Sequence, residues 1–212
     1  GPFDFDRIRS HYALRSLGQS RVAGRDTDVV GIVPLDTYRY GYRFFIDRST
    51  GLALKIDLMD NASEPIEQVM FTDVAIERHA PEQMPTPSAP ERGTGSARRD
   101  YPASDHAGAD DSPGLSRWRL SALPPGFRVV MRGLGPAPAA DGTTQHIVVS
   151  DGLASLSVYI EPVGQDGLNG STRMGATTAV GRTVAGRQVT VVGEVPEATA
   201  AMILGGLEYA AE

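Results

Sequence analysis

The run from Tyr38 to Leu58 constrains the chain more than any other stretch. Tyr40, Tyr42, Phe44 and Ile46 alternate with Gly41, Arg43, Phe45 and Asp47, and after a Gly-containing turn Leu52, Leu54, Ile56 and Leu58 alternate with Ala53, Lys55 and Asp57. A period of two marks strands with one buried face. With a loop over Asp47 to Gly51, the expected hairpin sets Ile46 opposite Leu52, Phe44 opposite Leu54, Tyr42 opposite Ile56 and Tyr40 opposite Leu58. Tyr40, Tyr42, Phe44, Leu54, Ile56 and Leu58 then form one apolar wall, while Arg43 meets Lys55 or Asp57 on the other face.

Tyr12 to Gln19 and Asp28 to Val33 around Ala23-Gly24-Arg25 read as a second hairpin, and Ile66 to Ile76 as a further strand after Asn61 to Pro65. This gives five strands and no helix before residue 77. A single-layer meander buries only one face, so the wall needs a cover, from a second domain or from sequence preceding Phe3. Gly1-Pro2 reads as a protease-cleavage scar from a tagged expression vector.

Residues 77–116 carry six prolines amid Gly, Ser, Ala and mixed charge, which predicts a flexible linker. The second unit, 117–212, starts with Trp118-Arg119-Leu120 and a Pro-Gly turn feeding a strand to Met131. Gln145 to Val149 and Leu153 to Ile160 flank Ser150-Asp151-Gly152, where Asp-Gly predicts a type I′ hairpin. Gly175 to Val184 and Gln188 to Val192 form a last pair around Ala185-Gly186-Arg187. Pro196 opens a helix expected to reach about Tyr209, with Ala200, Ile203, Leu204 and Leu207 as its apolar stripe. The fold class is mainly antiparallel β, of the α+β type.

Little in the chain can carry catalysis. The 212 residues hold no Cys, excluding disulfides, thiolate metal sites and thiol nucleophiles, and a net charge of −6 argues against nucleic acid as a partner. The aromatics Tyr38, Tyr40, Tyr42, Phe44 and Phe45 with Arg39 and Arg43 could stack bases, but most sit at core-period positions. His11, His79, His106 and His146 lie near no catalytic motif. His146 with Ser150 and Asp151 makes a poor nucleophilic set on a tight hairpin, Glu161, Glu194 and Glu197 suit strand ends and a helix start, and Asp105, His106, Asp110 and Asp111 lie in the linker, where nothing preorganises ligands. The reading is non-enzymatic, with no metal and no cofactor. No run approaches the roughly eighteen apolar residues that span a membrane.

The segments Tyr12-Ala-Leu-Arg-Ser-Leu-Gly18, Val22-Ala-Gly-Arg25, Tyr38-Arg-Tyr-Gly-Tyr-Arg43, Asp47-Arg-Ser-Thr-Gly-Leu-Ala-Leu-Lys55, Leu123-Pro-Pro-Gly-Phe127, His146 to Ser155 and Val191-Val-Gly-Glu-Val-Pro196 resemble the MucB/RseB family. The resemblance covers both folded regions. It implies a periplasmic regulator that binds the periplasmic region of an anti-sigma factor (MucA or RseA), shields it from regulated proteolysis and so restrains the envelope-stress sigma factor, with release by lipidic signals such as lipid or lipopolysaccharide fragments. It also implies a fold. Residues 3–76 would be the C-terminal part of a LolA-like half-barrel whose apolar face is the wall above, and 117–212 a small α/β partner-binding domain. A lipid or lipoprotein carrier of the LolA/LolB type is the alternative, and the second domain favours the regulator. A signal peptide is absent from the sequence as given. An incompletely covered wall predicts a homodimer at high concentration.

Overall fold

The computed structural model describes residues 8–75, 117–134, 144–164 and 167–210. The linker expected over 77–116 and its Asp105, His106, Asp110 and Asp111 cluster lie outside the described residues, as does His79.

The first unit is an antiparallel meander of β1 (Tyr12–Val22), β2 (Arg25–Pro34), β3 (Gly41–Asp47), β4 (Ala53–Met59) and β5 (Pro65–Met70), in that order across an open sheet. Such a sheet fits part of a half-barrel, with bulges at Ser16/Gln19, Phe45/Ile46 and Leu58/Met59 that bend it. The tight turn between β1 and β2 has Ala23 at φ 48° and Gly24 at φ 74°. β5 ends at Met70, short of Ile76, and Phe71 N–H closes the ladder on Leu54 O at 2.9 Å.

The β3–β4 register differs by two residues from the pattern-based one. Tyr42 lies opposite Leu58, and Phe44 opposite Ile56. The cause is the turn. Asp47 N–H donates to Leu52 O at 2.8 Å and Gly51 N–H to Asp47 O at 2.8 Å, while the Asp47 carboxylate accepts from Ser49 N–H and Thr50 Oγ1. Ile46 then pairs with Ala53 and Phe45 with Lys55, leaving Leu54 as the extra residue of a bulge. Because the slip is even, Tyr42, Phe44, Ile56 and Leu58 keep a common face. Leu54 does not. It packs with Phe45, Val29 and Val22 in a separate cluster.

The second unit centres on a six-stranded antiparallel sheet of β7 (Arg128–Leu134), β8 (Gln145–Ser150), β9 (Ser155–Pro162), β10 (Gly170–Met174), β11 (Thr177–Val184) and β12 (Arg187–Gly193), ordered β10-β11-β12-β9-β8-β7. Ile147, Val149, Leu156, Val158, Ile160, Val180, Val189 and Val191 form a dry inner face, joined in the core by Ala200, Ile203 and Leu204 of α1 (Glu197–Gly205). The helix ends sooner than its stripe suggested, at the Gly205-Gly206 pair, and Leu207 reaches the same core from β13 (Leu207–Tyr209), which pairs with β6 (Trp118–Leu120). The β8–β9 connection is a four-residue loop, Asp151 to Ala154, and not the two-residue type I′ turn expected of Asp-Gly. Asp151 N–H bonds Ala154 O, and its Oδ1 accepts from the N–H groups of Leu153 and Ala154. Asp151 is buried because Tyr12 and Arg39 of the first unit cover this end of the hairpin.

Candidate functional site

Two features could serve a partner or ligand: the apolar face of the first sheet, and the junction where the two units meet.

The apolar face follows from register. Leu14, Ile32, Tyr42 and Leu58 form one cross-strand row, and Val30, Phe44, Ile56 and Val69 the next. Tyr42 and Phe44 stack at 6.0 Å between centroids. Of the expected wall, Tyr40 and Leu58 are buried and share a cluster with Ala176 of the second unit, Tyr42 and Ile66 packing against it. Phe44 and Ile56 are only half-buried, while Leu14 at 73% and Val69 at 72% are largely exposed at the outer strands. Leu54, assigned to this wall by alternation, belongs to the opposite face because of the bulge. That opposite face is tighter. Phe45, Val29 and Leu54 pack there under Val74, Lys55 Nζ sits 4.8 Å above the Phe45 ring and 3.1 Å from Asp57 Oδ1, and Arg43 Nη1 lies 4.0 Å from Asp57 Oδ2.

The junction is built from the β2–β3 connection. Asp36 Oδ1 accepts from Tyr38 N–H and from Arg39 Nε, both at 3.0 Å, and this short-range turn aims the Arg39 guanidinium at the second unit. Arg39 has no exposed surface. Its Nη1 donates to Asp151 Oδ2 at 2.6 Å, its Nη2 to Pro125 O, and its Cζ lies 5.3 Å from the Tyr12 ring centre and 5.0 Å from that of Phe127. Tyr12 Oη donates to the same Asp151 oxygen at 2.9 Å. Burial, and next the Asp151 carboxylate, push the Tyr12 phenol well above its usual range, so it stays a donor. Around this knot Tyr38 packs on the second unit's core, Thr199 Oγ1 donates to Tyr38 O at 2.6 Å, and Glu67 Oε1 accepts from Ala176 N–H at 2.9 Å. Gly126 is required where it stands. Its φ is 83°, and a Cβ there would run into the His11 ring.

A cleft of about 370 Å³ opens beside the knot, lined by Tyr42, Leu153, Ser155, Ser157, Thr177 and Glu194. Burial, then the nearby Glu194 and Asp151 carboxylates, raise the Tyr42 pKa. The cleft thus joins the apolar face to a polar rim on the second unit.

The residues weighed for catalysis are not brought together. His146 Nε2 lies 2.8 Å from Ser157 Oγ and its ring stacks on Tyr159 at 4.6 Å, with burial lowering its pKa. Ser150 Oγ donates to Ala154 O, and Asp151 is committed to Arg39 and Tyr12. Glu161 accepts a long bond from Thr144, and Glu197 sits in the first turn of α1.

The MucB/RseB N-terminal domain family matches residues 2–89, and the MucB/RseB C-terminal domain family residues 112–208. In three dimensions, MucB in the Pseudomonas aeruginosa MucA/MucB complex superposes with a TM-score of 0.71 at 31% identity, over all of this chain and 70% of that one. The chain belongs to the MucB/RseB family. Among relatives, the sigma factor AlgU regulatory protein MucB of P. aeruginosa is 35% identical over 204 residues, covering 93% of this chain and 61% of that protein. The sigma-E factor regulatory protein RseB of Escherichia coli K12 is 27% identical over 209 residues, covering 98% and 63%. A second structure, MucB in complex with the periplasmic part of MucA, matches with a TM-score of 0.66 at 28% identity, over 97% of this chain and 70% of that one. The chain therefore spans about 61% of the MucB relative's length.

Proposed function

We propose that this member of the MucB/RseB family is a periplasmic regulatory protein that binds the periplasmic region of a MucA/RseA-type anti-sigma factor and protects it from regulated proteolysis, restraining an envelope-stress sigma factor. The observation that carries this reading is the likeness, through both units, to MucB chains found in complex with MucA. The relatives' regulatory names support it, and so does a set of His, Ser and carboxylate side chains occupied in packing and turn bonds, which favours a non-enzymatic role. Among the described residues no helix is long and apolar enough to cross a membrane.

We further read the half-exposed face of Tyr42, Phe44 and Ile56, closed at one end by Tyr40 and Leu58, as the wall that meets a lipidic signal. The alternative of a LolA/LolB-type carrier draws support from that same face. A protection assay separates the two. With the chain present, a MucA-type periplasmic segment is expected to be cleaved several-fold more slowly by a protease that cuts it, while an unrelated substrate is cleaved at an unchanged rate. Equal cleavage of the segment with and without the chain, alongside transfer of a fluorescent lipid between vesicles, would favour the carrier.

A further inference from the structure

We propose that the β2–β3 connection, residues 35–40, is a strap that fixes the relative pose of the two units, and that the Arg39 guanidinium is its positioning group. Units of one chain move against each other by default unless a large apolar interface holds them. Among the described residues the apolar part comprises Tyr38 against the second core and Tyr40 with Leu58 against Ala176, Tyr42 and Ile66 packing beside them. The remaining contacts are directional.

Arg39 contributes the most demanding set. Its planar fork satisfies Asp36 Oδ1 on its own strap, Asp151 Oδ2 on the β8–β9 loop and Pro125 O on the loop before β7, and its Cζ lies over the rings of both Tyr12 and Phe127. Rotating one unit on the other would strand at least one of two fully buried charges, Arg39 or Asp151. Buried ion pairs add little net stability relative to apolar residues of similar size, yet removing one partner alone is costly. A pair of this kind suits specifying a single arrangement better than strengthening it. Asp151 is itself held, since its Oδ1 is engaged by Leu153 and Ala154 N–H while Oδ2 faces Arg39 and Tyr12. The loop therefore presents a rigid acceptor to the strap.

The test uses the absence of Cys. Spin labels on Ser20→Cys and Ala201→Cys, exposed positions of the two units, report the inter-unit distance distribution by pulsed electron resonance. Arg39→Met and Asp151→Asn, taken singly, are expected to lower Tm by about 6–15 °C, because each leaves a buried charge or donor without its counterpart. The double variant removes both charges, and the Asn Oδ1 can still accept the Leu153 and Ala154 N–H bonds. It is expected to regain most of that Tm loss while its distance distribution stays at least twice as wide as the wild type's. A merely structural Arg39 would recover width together with Tm. Arg39→Lys keeps the charge but not the fork, so it is expected to lower Tm by less than Arg39→Met and likewise to broaden the distribution. The proposal is overturned if either folded variant keeps the wild-type distance and width.

Discussion

At the scale of single residues, two sites make separate predictions, one an ion pair and one a glycine held at positive φ. Arg25 and Asp47 fasten one end of the first sheet, with Nε 2.6 Å from Oδ2, and Asp47 also accepts from Ser49 and Thr50. The Arg25 bond, foremost, and then the Ser49 N–H hold the Asp47 carboxyl well below the usual carboxylate range. A carboxyl depressed in the folded state adds stability above its unfolded pKa of about 3.9, and that stability is lost as pH falls toward the folded value. Asp47→Asn is therefore expected to lower Tm at pH 7, and the gap from wild type to narrow below about pH 4; thermal melts across pH 2.5–7 check it, and a gap that grows on acidification contradicts it. Gly126 is the second case. Gly126→Ala forces a side chain at φ 83° into the His11 ring and is expected to cost about 1–3 kcal/mol in denaturant titration. His11→Ala in that background relieves the contact but not the backbone strain, so rescue is expected to be partial.

Among the elements, β3, β4 and α1 show how far a pattern reaches. Alternation in Tyr40–Ile46 and Leu52–Leu58 gives the hairpin and the shared face of Tyr42, Phe44, Ile56 and Leu58. It misses Leu54, because a bulge is set by bonds inside the turn, which periodicity does not encode. The edge strand β10 and the short pair β6–β13 were also unreadable. Residues 170–174 are all exposed, which removes the apolar alternation that marks a strand, and β13 forms only because Gly205-Gly206 stops the helix where Trp118 can pair with Tyr209. Arg39 carried no local signal of its role, since Asp151 lies 112 residues away. The two faces predict different tolerances. Leu54→Ala is expected to cost about 2–5 kcal/mol, as for other buried Leu truncations, whereas Leu14→Ala, at a largely exposed outer position, is expected to stay within about 0.5 kcal/mol. Urea titration distinguishes them, and a cost for Leu14→Ala equal to or above that of Leu54→Ala would contradict the assignment of the two faces.

For the whole molecule, one sheet with a half-exposed apolar face is bolted through a polar knot to a second sheet that has its own dry core. The exposed part of that face, with Leu14 and Val69 at its margins, is expected to drive self-association as concentration rises. Sedimentation from low to high micromolar protein should show the dimer fraction increasing, and a monomer throughout would mean that the face is not available. Partner binding is expected to be mainly apolar with a polar rim, and therefore only mildly sensitive to salt. The most direct measurement is calorimetric titration of the whole chain with a MucA-type periplasmic segment at low and high ionic strength. A saturable one-to-one complex whose affinity changes less than about tenfold between 50 and 500 mM salt is the predicted result; no heat and no complex at either salt, with the chain folded, would contradict the assignment of this protein as an anti-sigma factor binder.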